Sequence, residues 1–496
     1  MKKKLTALLL ASLMLLTAAC SADAGEETPE TTVTAAPVTE AEDSETQVTT
    51  DIPEGTDLAG YEVRIMTGNW MDVKSDYYDF ESLNGDVVND AVYNRNRKVE
   101  QALNCTISQT LSLSDIIGGS DIKRLVKSGD DVLDAAVNLD RFAMQLALDN
   151  YLISFTDLPG VDLTKPYWYQ NVNDQLTFYG QLYTAASYYD LTCVDAMFML
   201  IFNKDHFTNY KLEDPYELVR QGKWTMDVMY KMITDVAGDL DGDGEMTDSD
   251  LWGAVFNGDQ WLRTFLVSNE ALAVEVDNEG NPYFSAYGNE RFFAIADKLA
   301  NYFTSPDLYF GMGTHKSRFD STYAADPYER AIQLFAAGNA LFHPAQPSYT
   351  VQLRGMELDY GIIPIPKFEE VEPGTPYSSR LGGFLPLVIP ACNRHPEETG
   401  YILEALSCES YLSVVPQYYE IMLKQKQTRD EDSIEMIEMM DANRVCNLAE
   451  NYWLETFSFI ENSLKDGENK LASEMEKNLK TVNKTLEKFI EKMSEK

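Results

Sequence analysis

The chain has 496 residues, 44% of them hydrophobic, enough for two domains with cores of ordinary size. Lysine and arginine number 40 against 80 acids, a formal net charge of −40. A surface of that sign repels phosphate backbones and anionic headgroups, which argues against nucleic acid or a bare membrane surface as a partner.

Taken in chain order, residues 1–19 carry a basic start at Lys2 to Lys4, an apolar run from Leu5 to Leu16, and small residues at Ala18 and Ala19. This pattern predicts a secretory signal peptide, too short for a spanning helix. The small-small-cysteine ending resembles a bacterial lipobox, which implies cleavage before Cys20 and acylation of its thiol; Thr17 departs from the aliphatic residue usual at that place. Ser21 to Glu54 is rich in Thr, Glu, Ala and Pro and has no aromatic residue, Lys or Arg. Residues 20–56 are therefore expected to be a lipid-anchored disordered tether, unable to bury enough apolar surface to fold. Cys105, Cys193, Cys392, Cys408 and Cys446 show no CxxC spacing and read as buried thiols, with a pairing of Cys392 and Cys408 left open.

Tyr61 to Gly68 alternates and predicts a first strand that delivers Asn69 and Trp70 to a loop. Gly85 to Asn104 has apolar residues at helical spacing, Cys105 to Leu111 reads as a second strand, Asp121 to Lys127 as a short helix, and Asp131 to Leu139 as a third strand ending in Asp140, Arg141 and Phe142. This rhythm predicts a parallel sheet, and open sheets of that kind bind ligands beyond the carboxyl ends of their strands. Gln181 to Ala186 is expected to be another strand, leading into Ser187, Tyr188, Tyr189 and Asp190.

A second lobe is expected to begin at the apolar run Ala196 to Phe202, closed by Asn203 and Lys204. Thr225 is placed to cap the helix that follows it. Asp239, Asp241, Asp243, Gly244 and Asp250 occupy positions 1, 3, 5, 6 and 12 of a calcium-loop pattern, with Glu245 offering its carbonyl and Thr247 a hydroxyl or a water contact. Three carboxylates and a glycine bend are what a hard cation needs, so a structural Ca2+ is expected, with Asp250 a shorter last ligand than the usual Glu. Trp252 to Trp261 reads as a short β run ending in an aromatic. Helices follow at 291–303 and 328–337, strands at 339–342 and 359–365, a strand at 385–389 opened by Gly382 and Gly383, and helices at 395–408 and 411–424. Leu471, Met475, Leu479, Val482, Leu486, Phe489 and Met493 mark one face of a terminal helix that docks on its own lobe.

FNKDHF at 202–207, DPYELVRQGKWT at 214–225, the acidic loop and DYGIIPIPKF at 359–368 together resemble the extracellular solute-binding proteins that feed sugars to ABC importers, the relatives of maltose-binding protein. The resemblance covers nearly everything after residue 57. It implies an α/β, two-lobed periplasmic-binding-protein-like (type II) fold: two open sheets flanked by helices, joined by a hinge that the chain crosses several times. The N-lobe is then 57–192 with 382–425, and the C-lobe 193–381 with 426–496. It also implies ABC permease subunits as partners and a place at the outer face of the cell membrane, and it matches Asp140, Arg141 and Trp261 to positions that contact oligosaccharide in that family.

A sugar has apolar C–H faces and a hydroxyl rim, so its cleft needs flat rings to stack and polar groups to hydrogen-bond. Trp70, Tyr188, Tyr189 and Trp261 are the candidate rings. Asn69, Asp140, Arg141, Asp190, Asn257 and Asp259 are the candidate polar contacts, with His343 and Gly383 lining the cleft. No catalytic constellation is visible: there is no GxSxG, HExxH or Walker loop, and His206, His315, His343 and His395 are the only histidines. The expected ligand is an oligosaccharide, bound without turnover; the alternatives are a secreted carbohydrate-active enzyme and a cell-surface glycan-binding scaffold.

Overall fold

The computed structural model describes residues 48–68, 78–79, 82–112, 119–256, 260–302, 309–311, 327–350, 353, 359–423, 430–464 and 469–496. The signal peptide, Cys20 and the tether up to residue 47 lie outside the described residues, as do Asn69, Trp70, Asn257 and Asp259.

The first part of the chain alternates strand and helix: β1 (Tyr61–Thr67), α1 (Val87–Leu103), β2 (Cys105–Leu111), α2 (Ser120–Ser128), β3 (Ala135–Val137), α3 (Asp140–Leu148), β4 (Leu152–Ile153) and α4 (Gln170–Leu176). Local chemistry sets the ends. The Asp86 side chain accepts from the Val88 and Asn89 amides to start α1, Val88, Val92, Val99 and Leu103 line its buried face, and Asn104 ends it in the left-handed region at φ 49°. The short α5 (Leu191–Asp195) leads into β5 (Met199–Asn203), whose last residue caps α6 (Lys204–Tyr210). Then come α7 (Pro215–Arg220), α8 (Met226–Val236), capped by Thr225 as expected, β6 (Trp252–Phe256), α9 (Gln260–Ser268), the hairpin of β7 (Glu275–Val276) and β8 (Pro282–Tyr283), and α10 (Glu290–Tyr302). The chain continues through β9 (Tyr309–Gly311), α11 (Pro327–Ala336), β10 (Ala340–Ala345), β11 (Tyr360–Ile363), β12 (Ser379–Leu381) and β13 (Leu387–Pro390). It ends with α12 (Pro396–Glu409), α13 (Val415–Leu423), α14 (Glu431–Ala442), β14 (Arg444–Cys446), α15 (Leu448–Phe457), α16 (Phe459–Asn462) and α17 (Leu471–Ser494). Between α12 and α13 a π turn at Ser410–Val414 keeps the helix continuous just before Pro416.

Among the described residues there are two five-stranded sheets, ordered β2-β1-β3-β13-β4 and β11-β5-β10-β6-β9. The first is mixed, where an all-parallel sheet was expected. β1, β2 and β3 are parallel, and β13, arriving from the far end of the chain, runs antiparallel to both of its neighbours. In the second sheet β5 is antiparallel to β10 and β11, while β10, β6 and β9 are parallel. The sheets are joined through a narrow strip in which β12 pairs in parallel with β14 and Met197 adds an isolated bridge to Leu381 of β12. Phe198 N donates to Arg380 O at 3.0 Å and Gly382 N to Ala196 O at 3.3 Å, which pins the Met197 crossing beside the central β12.

Two further sequence expectations change. Gln181 to Ala186 forms isolated bridges and no strand, because neighbouring side chains take its backbone bonds: Leu182 N donates to Ser154 Oγ and Ala186 N to Asn173 Oδ1. The terminal stripe is buried at Leu471, Met475, Val482, Leu486, Phe489 and Met493, but the helix does not keep to its own lobe as expected, since Lys492 near its carboxyl end donates to Asp149. Cys105, Cys193, Cys392, Cys408 and Cys446 are free and buried, so Cys392 and Cys408 do not pair. No helix among the described residues is long and apolar enough to cross a membrane.

Candidate functional site

The carboxyl ends of β1 and β3 and the amino end of antiparallel β13 share one edge of the first sheet. Asn138 N donates to Pro386 O at 3.2 Å and Asp140 N to Phe384 O at 3.1 Å, so the β3 exit and the β13 approach are tied together there. Asp140 and Arg141, expected at a strand end, instead form the first turn of α3. Asp140 is 3% exposed; its Oδ1 accepts from the Arg141 amide at 2.7 Å and its Oδ2 from the Gly383 amide at 3.1 Å. Gly383 reaches that position at φ 77°, where a side chain would be strained. Burial, reinforced by the charge of Glu450, raises the Asp140 carboxyl to about 6, against the lowering effect of Arg141 and of the two amides. Arg141 Nε is buried and has no hydrogen-bond partner among the described residues. Phe142, next in sequence, is 38% exposed at this edge.

α15 packs along α3 and supplies what the sequence reading missed. Asn447, Glu450 and Asn451 fall at i, i+3 and i+4, one face of a helix start, and that spacing of polar residues before an apolar run was the available signal. Asn451 is fully buried, yet neither its Oδ1 nor its Nδ2 has a partner. Glu450 is answered completely: Arg380 Nε donates to Oε2 at 2.9 Å and Arg380 Nη2 to Oε1 at 2.5 Å, and Arg263 Nη1 donates to Oε1 at 2.6 Å. Burial alone would raise this carboxyl, but Arg380 and Arg263 hold it down at about 2. Arg380 Nη1 donates to Thr264 Oγ1 at 2.9 Å, which connects the hinge strand β12 to α9.

Trp261, expected at the end of a β run, lies in the first turn of α9, one turn before Thr264. It is 8% exposed and stacks on Phe256 with ring centroids 4.8 Å apart. Thus Trp261, Arg380, Gly383 and Asp140 lie on linked elements of one junction.

Tyr188, Tyr189 and Asp190 were expected to face solute and are held elsewhere by protein partners. Tyr188 stacks on Tyr169 at 4.0 Å, and its hydroxyl donates to Asp441 at 3.2 Å. Tyr189 lies under the Arg95 guanidinium at 4.7 Å. Asp190 accepts from Tyr78 OH at 2.6 Å, from Thr192 Oγ1 at 2.5 Å and from the Thr192 amide at 3.0 Å, and burial raises its carboxyl to about 6. His343 also departs from its expected place at the cleft: it lies within β10, 1% exposed, Nδ1 2.8 Å from Val255 O, and burial lowers it to about 4, so it is neutral.

The acidic loop is shaped by its own backbone. Asp239 accepts from the Gly242 and Gly244 amides at 2.6 and 2.8 Å, Asp241 from Asp243 at 3.1 Å, and Asp243 from Glu245 at 2.8 Å. Carboxylate oxygens of Asp239, Asp241 and Asp243 lie within 4.8 Å of one another. Although the Asp243 amide lowers it, desolvation and the charges of Asp243, Asp250 and Asp239 leave the Asp241 carboxyl raised. Such crowding of like charge on oxygen donors fits a hard cation. Asp250 is buried, its Oδ1 accepting from the Leu240 amide at 2.7 Å and its Oδ2 from the Thr247 amide at 2.6 Å. It braces the loop from beneath.

No family model matches the chain, and no curated protein matches it. Solved structures do. UspC of M. tuberculosis superposes with a TM-score of 0.54 at 13% identity, covering 84% of this chain and 98% of that one. An ABC substrate-binding protein of Listeria monocytogenes in complex with cycloalternan gives 0.53 at 12%, covering 86% and 99%. The GacH receptor of Streptomyces glaucescens, solved unliganded and with acarbose, gives 0.53 at 11%, covering 86% and 98%. Of these, the Listeria protein is a substrate-binding protein and GacH a receptor. With two sheet-based lobes joined by a narrow strip, this chain has the fold of the sugar-binding ABC solute-binding proteins.

Proposed function

We propose that this protein captures an oligosaccharide between its lobes and delivers it to the permease of an ABC importer, from the outer face of a membrane to which acylated Cys20 tethers it. The observation that carries the reading is a set of buried polar atoms left without partners where the two lobes meet: Arg141 Nε on α3, and Oδ1 and Nδ2 of Asn451 on α15. An unanswered buried polar group costs about 1–3 kcal/mol, and a hydroxyl-rich guest supplies both donors and acceptors. Asp140 adds an acceptor whose charge is already disfavoured by burial. Trp261 and Phe142 are the apolar surfaces for sugar C–H faces.

In this reading 57–192 with 382–425 moves as one lobe, and 193–381 with 426–496 as the other. Asp239, Asp241, Asp243 and Glu245 hold a structural Ca2+ above Asp250, with no part in solute recognition. Calorimetry of the protein against a glycan panel that includes maltotetraose is expected to find a binder, with product analysis finding no cleavage. Cleavage of any glycan would replace the receptor by a carbohydrate-active enzyme. Failure of every glycan would overturn the ligand class.

A further inference from the structure

The 24 residues of α17 span about 36 Å at 1.5 Å per residue, and the two ends of the helix hold different lobes. Near its amino end Leu471 and Met475 are buried, Glu476 Oε1 accepts from Tyr287 OH at 2.7 Å, and Asn469, just before the helix, donates to Asp297 of α10 at 3.3 Å. These partners belong with the second sheet. At the carboxyl end Lys492 Nζ donates to Asp149 at 2.9 Å, and Lys496 Nζ donates to Asn150 at 2.5 Å and lies 5.3 Å from the Tyr183 ring centroid. Asp149 and Asn150 connect α3 to β4, and Ala185, two residues beyond Tyr183, bridges to β13. These partners belong with the first sheet. Between them Phe489, 2% exposed, sits edge-on to Phe178 at 4.8 Å and to Trp453 at 5.1 Å. One stiff rod is therefore fastened to both lobes in addition to the hinge crossings.

We propose that the last two turns of α17 are a latch that keeps the lobes together before any solute arrives, and that opening requires the tip to let go while the base stays docked. The two ends differ in the way such a device needs. The base is held by buried apolar residues. The tip is held by two buried side chains, Phe489 and Met493, and by charged contacts open to water, Lys492 and Asp149 being 34% and 36% exposed. Partly exposed pairs of that kind break readily and are screened by salt. A helix bonded along its whole length to one lobe would leave nothing to release. The latch rests on the receptor reading for its purpose, since only a protein that must admit a guest has lobes to hold; it does not rest on any sugar for its test.

Spin labels at Arg124→Cys on α2 and Lys231→Cys on α8, whose native side chains are 58% and 77% exposed, report the separation of the lobes in the full chain carrying Cys20→Ser. Without sugar, the Lys492→Glu/Lys496→Glu variant is expected to raise the population at long separations several-fold over the parent, Phe489→Ala to raise it further, and molar salt to move the parent in the same direction. A distribution in the charge-reversed variant identical to that of the parent at low salt would overturn the latch. If Phe489→Ala does not fold by circular dichroism, the charge-reversed variant decides alone. Glycans are added only afterwards: variants that open without sugar but respond to no glycan uphold the latch and sink the sugar reading. A sugar response with no difference between variants does the reverse.

Discussion

Where the lobes meet, two buried polar patches stand side by side and are answered very differently. Around Arg380 each guanidinium nitrogen donates, to Glu450 or Thr264, and both Glu450 oxygens accept. In the other patch, Arg141 Nε and both polar side-chain atoms of Asn451 have no partner among the described residues. Saturation marks the first as scaffold, because a fully paired buried ion network fixes geometry and leaves no valence for a guest. In the proposed reading the second patch is the one left for a guest, since its polar groups gain nothing from folding alone. Burial and charge do not separate the two patches; the hydrogen-bond inventory does.

The sharpest way to break this contrast is to remove the anion at the centre of the saturated patch. Glu450→Gln leaves Arg380 buried without its countercharge and Arg263 with Glu461 alone, and a loss of about 3–5 kcal/mol is expected in urea unfolding at neutral pH. A loss within experimental scatter would show that Glu450 is not the keystone. Acid should imitate the variant: because the folded carboxyl is depressed to about 2, the stability it contributes is present above its ordinary value and disappears as pH falls through about 2. Asp140 has the opposite sign. Its folded carboxyl is raised to about 6, so the stability linked to its proton is full below about 4 and is lost as pH rises through 6. Asp140→Asn should therefore unfold at higher urea at pH 7, by up to roughly 3 kcal/mol, and flatten the pH profile between 4 and 6 while weakening glycan binding. A variant less stable than the parent at pH 7 would remove Asp140 from the unsaturated patch.

Next in size is the direct test of the unanswered atoms. Asn451→Leu fills the same space without donors or acceptors and should gain about 1–3 kcal/mol in the empty protein. The same change should cost about 10–100-fold in glycan affinity by calorimetry, equivalent to about 1.4–2.7 kcal/mol. A stabilised variant that binds as well as the parent would show that the amide is only a defect.

Much of the fold was legible because local rules and periodicity agreed: the Thr225 cap, the strand–helix rhythm and the stripe of α17 were all written in short windows. The antiparallel entry of β13 was not, since direction in a sheet is set by contacts with residues some 250 positions earlier. The site divided along the same line. Asp140, Arg141 and Gly383 could be named from strand ends and resemblance, and the structure brings them together. Tyr189 and Asp190 carry the right chemistry for a sugar, but their distant partners Arg95 and Tyr78 claim them, and no window of sequence contains both members of either pair. Asn451 escaped for the converse reason: what makes it notable is a missing partner, and absence of a contact is a property of the fold alone.

The smallest effect is expected at the surface, where the acidic loop extends the same inventory to exposed oxygens. Asp239, Asp241 and Asp243 accept backbone amides yet keep lone pairs facing one another, and their mutual repulsion leaves Asp241 raised even though the Asp243 amide pulls it down. With chelator present, its ionisation at neutral pH works against the fold, so Asp241→Asn should melt slightly above the parent. With calcium in excess the lost carboxylate weakens a cation that binds only the folded loop, and the same variant should melt below the parent. The sign of the difference, more than its size, identifies the loop. Melting shifts of one sign under both conditions would make Asp239, Asp241 and Asp243 a solvated turn, closed by its own amides in the manner of the Arg380 patch and waiting for no ion.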